Sequence, residues 1–207
     1  MRNFAKKLTI AFVLALALIA VFGLAVNAAE VTHSGDIGAF TYQVTDDGVL
    51  TISGNGSILG RWYDGGWTGH TDQTVNQLPW YVHGLRDSIT EVVLDTPNLV
   101  EIKPWMLAGL NTATKMTIPA TLEKIGSEAF ARSNALATIR VAGNEYEDGV
   151  IDFTNIKSIG HKLFFNWGLN LTTEIHLGLD TSFVPSVVDF ATMKVHFVVY
   201  EGADTIA

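Results

Sequence analysis

Residues 114 to 136 read TKMTIPATLEKIGSEAFARSNAL, and this stretch decides the fold. Met116-Thr117-Ile118 alternates apolar, polar and apolar residues, as a half-buried strand does, and Pro119 stops it. Leu122 and Ile125 are then three apart, Gly126 supplies a bend, and Ala129 and Phe130 suit a short helical turn. One copy of such a unit cannot hide its own apolar side chains. It needs a neighbour stacked on each side, which is the physical logic of a repeat protein.

The unit recurs along the chain. The apolar pair appears as Leu99/Ile102, Leu122/Ile125 and Ile156/Ile159, and the fifth residue after each second member is Leu107, Phe130 or Phe164. Alternating tripeptides precede the pairs at Val92–Leu94, Met116–Ile118 and Ile139–Val141, and two more follow at Ile175–Leu177 and Val195–Phe197. Val92 to Met116 is 24 residues and Met116 to Ile139 is 23. Those steps lie in the range of leucine-rich repeats, about 20 to 29 residues.

Residues 1–28 read as a secretory signal peptide. Arg2, Lys6 and Lys7 form a basic head, Leu8 to Val26 is apolar apart from Thr9, and Val26-Asn27-Ala28 offers a cleavage site. The apolar run is also long enough for an uncleaved membrane anchor, which needs roughly 18 or more apolar residues. Without the three leader cations, ten basic residues face 21 acidic ones. That charge repels phosphate backbones and argues against nucleic acid as a partner. Cysteine is absent, so an exported domain must hold together by packing alone.

At the mature start, Phe40–Val44 and Leu50–Ile52 alternate on either side of Thr45-Asp46-Asp47-Gly48, a hairpin signal. The hairpin would cover one exposed end of the repeat stack. Here DDGVLTISGNGSI, then LPWYVHGLRDSITEVVL, then IPATLEKIGSEAF resemble the secreted bacterial BspA-like leucine-rich repeat proteins. The likeness extends over about residues 40–165. It implies a short leucine-rich repeat scaffold and a non-enzymatic binding or adhesion role at or outside the cell surface. There are departures. Leu110, Ser133 and Trp167 stand where the family often has cysteine, and Lys103-Pro104 stands in the first repeat where Gly126 and Gly160 sit in the others. Gly143 to Asp152 (GNEYEDGVID) reads as an insertion, a loop or small hairpin of the sort that often carries binding in repeat proteins.

The middle residue of each alternating tripeptide should face away from the core. Stacked in order, that row is Val93, Thr117, Arg140, His176, His196, and its last three members would make a small cationic strip. A plain solvated sheet face is the competing reading of the row. Trp62, Tyr63 and Trp67, in a glycine-rich segment, could stack on sugar rings or simply pack, whereas Trp80 after Pro79 reads as structural. The acidic run at Glu145–Asp148 reads as a solvated turn, since Tyr146 and Asn155 stand where a calcium loop needs an oxygen ligand and a bidentate glutamate. The sequence holds no His-Glu-x-x-His, Gly-x-Ser-x-Gly, cysteine nucleophile or phosphate-binding glycine loop.

The expectation is therefore an α/β repeat solenoid: a short leucine-rich repeat stack of about three to four repeats with an N-terminal β-hairpin cap. Its divisions are a signal peptide at 1–28, the hairpin cap and aromatic loop at 29–88, and the repeat domain with a terminal strand at 89–207. The chain is expected to be secreted or loosely surface-associated, with no enzymatic activity, cofactor or metal. Its partner would be a protein or glycan. Glycan binding through the Trp-rich loop, or a purely structural surface role, is the alternative.

Overall fold

The computed structural model describes residues 29–60, 77–145, 147–164, 172–183, 194–201 and 204–205. The signal-peptide reading of 1–28 and the aromatic positions Trp62, Tyr63 and Trp67 fall outside them. By its contacts the chain divides into Met1–Glu30 and Val31–Ala207, and the fold below is that of the second unit.

Among the described residues fifteen strands run in chain order: β1 (Val31–Ile37), β2 (Phe40–Thr45), β3 (Val49–Ser53), β4 (Ile58–Leu59), β5 (Glu91–Asp95), β6 (Glu101–Ile102), β7 (Lys115–Ile118), β8 (Lys124–Ile125), β9 (Thr138–Val141), β10 (Val150–Phe153), β11 (Ser158–Ile159), β12 (Thr172–Gly178), β13 (Ser182–Phe183), β14 (Lys194–Glu201) and β15 (Asp204–Thr205). They form two sheets. The larger has ten strands in the order β1-β2-β3-β5-β7-β9-β10-β12-β14-β15, and the smaller has five in the order β13-β11-β8-β6-β4. From β3 to β14 the large sheet is parallel, while β1-β2-β3 and β14-β15 are antiparallel.

The alternating tripeptides build the large sheet and the Leu/Ile-x-x-Ile pairs supply the small one. Met116 aligns with Val92 and Ile139, and Ile125 aligns with Ile102 and Ile159. Both sets turn their apolar side chains into one core, in which Leu50, Ile52, Leu99, Ile102, Met116, Leu122, Ile125, Ile156 and Ile159 are all buried. Phe130, Phe153 and Phe164 fill its centre.

The α/β class does not hold. Among the described residues the one α-helix is α1, the four residues Pro79–Val82, and the two returns from the small ladder to the large sheet that are described throughout, β6 to β7 and β8 to β9, are runs of turns. The expected helical turn at Ala129-Phe130 fails for a reason visible in the backbone. Trp105, Glu128 and Lys162 occupy the same place in three successive repeats, and all have left-handed φ, of 63°, 58° and 49°. Arg132 follows with φ 61°, matched by Gly109 in the previous repeat. A helix cannot run through such residues. Their amides bond sideways instead: Leu107 N donates to Ala129 O (3.0 Å), Gly109 N to Ala131 O (2.8 Å), Glu128 N to His161 O (3.1 Å) and Phe130 N to Leu163 O (3.1 Å). Alternate amides that a helix would use within one repeat join repeats here, while the amides between them, such as Ala108 N on Trp105 O and Ala131 N on Glu128 O, close short turns, so the fold is nearly all β.

Polar side chains continue the same lateral bonding at the opposite turn. Thr121 Oγ1 donates to Leu99 O (2.9 Å), Asn155 Nδ2 to Leu122 O (2.9 Å) and Thr181 Oγ1 to Ile156 O (2.7 Å), each reaching a carbonyl one repeat back. At the N-terminal end, Pro79 opens α1, and Trp80 is buried with its indole N–H on Ala108 O at 2.8 Å.

Candidate functional site

The outward face of the large sheet carries the row singled out in the sequence, with changed membership. Thr117 lies beside Arg140 and, on the next strand pair, Asp152 lies beside His176. Because Ile139 aligns with Ile151, Asp152 falls between Arg140 and His176. The expected insertion at 143–152 thus holds the first three residues of strand β10, which adds a carboxylate to the expected cationic strip. Its Val150-Ile151-Asp152-Phe153 alternation carries the signal that would have revealed it. His196 is displaced as well. Ile175 aligns with Phe197, so His176 stands beside Val198 and His196 beside Glu174. A shift of two residues keeps His196 on the outward face but takes it out of the row.

Between β9 and β10, the described residues 142–145 and 147–149 are bonded to that outward face. Arg140 Nη1 donates to Asn144 O (3.1 Å), Asn144 Nδ2 to Asp152 Oδ2 (3.3 Å) and Gly149 N to Thr138 Oγ1 (3.1 Å), while Lys115 Nζ is 3.9 Å from Asp148. All the side chains anchored this way lie on outward-facing strand positions. Thr138, which accepts from Gly149 N, is buried although it points away from the core, as are Thr117 and Val150. Thr117 Oγ1 accepts from Arg140 Nε at 3.1 Å and so positions the guanidinium rather than meeting solvent.

Against these residues is a cleft of about 160 Å³ lined by Arg140, Asn144, Glu145, Glu147, Asp152 and His176, with Ile139 and Val150. His176 is held on both ring nitrogens, with Glu174 Oε2 3.3 Å from Nε2 and the Tyr200 hydroxyl 3.1 Å from Nδ1. Asp152 Oδ1 accepts from the Thr154 amide (3.0 Å) and hydroxyl (2.7 Å). The cleft therefore offers fixed hydrogen-bonding groups of both charge signs, suited to a polar or charged group of a partner. Among the described residues no set of three or more His, Asp or Glu is arranged to hold a metal ion. Nor does any helix among them have the length and apolar character to cross a membrane.

Burial pushes the Tyr200 phenol above its ordinary value, and the nearby carboxylates of Glu147, Asp152 and Glu174 add to the rise. Tyr42 is raised too, by burial and then by Asp36. Both phenols stay protonated in the folded chain past about pH 10, where unfolded tyrosines ionise. The sign follows: the stability they contribute is intact below about pH 10 and is lost as pH rises through the elevated folded values. Denaturant midpoints should fall as pH rises above about 10, and the fall should be smaller in the Tyr42→Phe/Tyr200→Phe double variant. An identical slope in that variant contradicts the assignment.

Comparison with solved structures supplies the kind of fold. A crystal structure of a leucine-rich repeat protein from Eubacterium ventriosum matches with a TM-score of 0.58 at 20% sequence identity, over 81% of this chain and 44% of that one. The fold is leucine-rich-repeat-like. The chain spans less than half the length of that relative. The pneumococcal vaccine antigen PcpA also matches, over 73% of this chain and 51% of that chain, but at 12% identity and a TM-score of 0.27, too low to support an argument. No family model and no curated protein matches the chain.

Proposed function

We propose that this is an exported, non-enzymatic binding protein of the BspA-like type, secreted or loosely held at the cell surface. Its partner would be a protein or glycan. The observation that carries the reading is the row Arg140–Asp152–His176 on the outward face of a parallel sheet, beside a shallow cleft of mixed charge. Adjacent strands lie about 4.8 Å apart, so the ladder holds these groups at a fixed pitch against which an extended partner can register. Export is supported by the basic head and apolar run of residues 1–28, and the adhesion role by the resemblance quoted above.

The test is binding of the protein to immobilised host matrix proteins and polysaccharides. For whichever ligand binds, the double variant Arg140→Glu/His176→Ala should bind at least about tenfold more weakly, since truncating a central charged contact typically costs 2 kcal/mol or more. Unchanged binding by a folded double variant removes this face from the function.

A further inference from the structure

At the N-terminal end of the molecule, away from the cleft, two histidines from distant parts of the chain come together. His33 lies on β1 and His83 caps the C-terminus of α1, and their ring centroids are 5.6 Å apart at an interplanar angle of 41°. We propose that they form a binding site for a borderline divalent transition metal, Zn²⁺, Cu²⁺ or Ni²⁺, with solvent completing the coordination. The two imidazoles would be its protein ligands, and it is independent of the binding face described above.

Three observations converge on it. The first is spacing. With Zn–N bonds of about 2.0–2.1 Å and a tetrahedral angle at the metal, two ligating imidazoles have centroids about 5 Å apart, close to what is found. The second is the protonation pattern at His33. The Thr32 hydroxyl donates its one proton to Val44 O at 3.0 Å, so towards His33 it can only accept. In the tautomer that satisfies both contacts, His33 Nδ1, 3.1 Å from that oxygen, carries the ring proton and Nε2 keeps its lone pair. A metal-binding histidine is prepared in the same way, by giving its other nitrogen a hydrogen-bond acceptor. The third is the irregularity of β1. The pairing of β1 with β2 slips between Val31 and His33, leaving Thr32 as the extra residue. Such bulges re-aim side chains, and this one places the Thr32 hydroxyl on Val44 O.

His83 is exposed, so a metal ion has open access. Imidazole pairs suit zinc, copper and nickel and do not suit magnesium or calcium, which prefer oxygen ligands. Binding would tie β1, an edge strand with one neighbour, to α1 some fifty residues further on.

The experiment is thermal unfolding of the protein with Zn²⁺, with Mg²⁺ as control. At about 100 times the dissociation constant found by calorimetric titration, Zn²⁺ should raise Tm by about 5 °C or more. The rise should vanish in His33→Ala and in His83→Ala, and Thr32→Val should weaken the titrated affinity. A rise that survives either histidine substitution, or no rise at all, overturns the proposal. A second measurement does not depend on the variants: long-range proton–nitrogen spectra of the metal-free protein should show the His33 proton on Nδ1. Finding it on Nε2 also overturns the proposal.

Discussion

Phe130→Ala is expected to leave the protein largely unfolded at ambient temperature, or to lower its denaturant midpoint by several kcal/mol equivalent. Phe130 is fully buried, and its ring contacts two others, Phe164 at 5.8 Å and Phe153 at 6.5 Å between centroids. Phe153 and Phe164 are 6.5 Å apart, so the three rings close a triangle in the middle of the core. Truncating a buried phenylalanine costs about 3–5 kcal/mol. Each lost aromatic pair adds about 0.5–1.5 kcal/mol. A domain of this size has about 5–15 kcal/mol in all, so the substitution removes much of its margin. The triangle joins neighbouring repeats through side chains from β10 and from the turns after β8 and β11, and no local adjustment refills it. Equilibrium denaturation followed by circular dichroism measures the loss. A destabilisation below about 1 kcal/mol would mean that the rings are not a shared core.

Gly160→Ala is the second large effect, and it acts through the backbone. A Cβ at Gly160 would collide with the amide nitrogen of Ser127 and lie 2.7 Å from the Gly126 carbonyl carbon. Gly126 is in the same position one repeat earlier, where a Cβ would enter the ring of Pro104. Each of these glycines lets a repeat corner sit directly on the backbone of the corner before it. Backbone cannot rotate aside as a side chain can, so a methyl group at Gly160 must push two repeats apart. That also lengthens the Glu128 N to His161 O bond beside it. The cost should reach the upper end of overpacking, about 3 kcal/mol. For a domain of 150–250 residues that is a fall in Tm of about 6–12 °C. A thermal melt checks it, and Gly143→Ala is a useful contrast. Gly143 has φ 96° but no atom within 4 Å of its Cβ position, so backbone strain acts there alone and the fall should be smaller.

Much of the repeat architecture was legible because the apolar spacing is a direct record of burial. Met116, Ile118, Leu122, Ile125, Phe130, Ile139, Val141, Ile159 and Phe164 are buried, and the second members of the pairs, Ile102, Ile125 and Ile159, lie over one another in the small ladder. The helical content was misjudged because Ala129 and Phe130 suit a helix locally. What overrides them is the lateral bonding of Leu107, Gly109, Glu128 and Phe130, a contact between repeats that no window of sequence contains. The outward row was read correctly as to which side chains point away from the core. It was misread in membership, because Asp152 lay hidden in an apparent insertion and His196 belongs to a strand shifted by two residues.

By itself, then, the sequence determined the periodic burial, since an apolar side chain in a regular strand or pair has only one way to leave water. It also determined the short wrap of each unit, through its proline and glycine stops. The strand register, the bonds from Asn144 and Gly149 to the sheet face and the meeting of His33 with His83 came from the tertiary structure alone. These depend on contacts between residues far apart in the chain, and their energies exist only once the repeats are stacked.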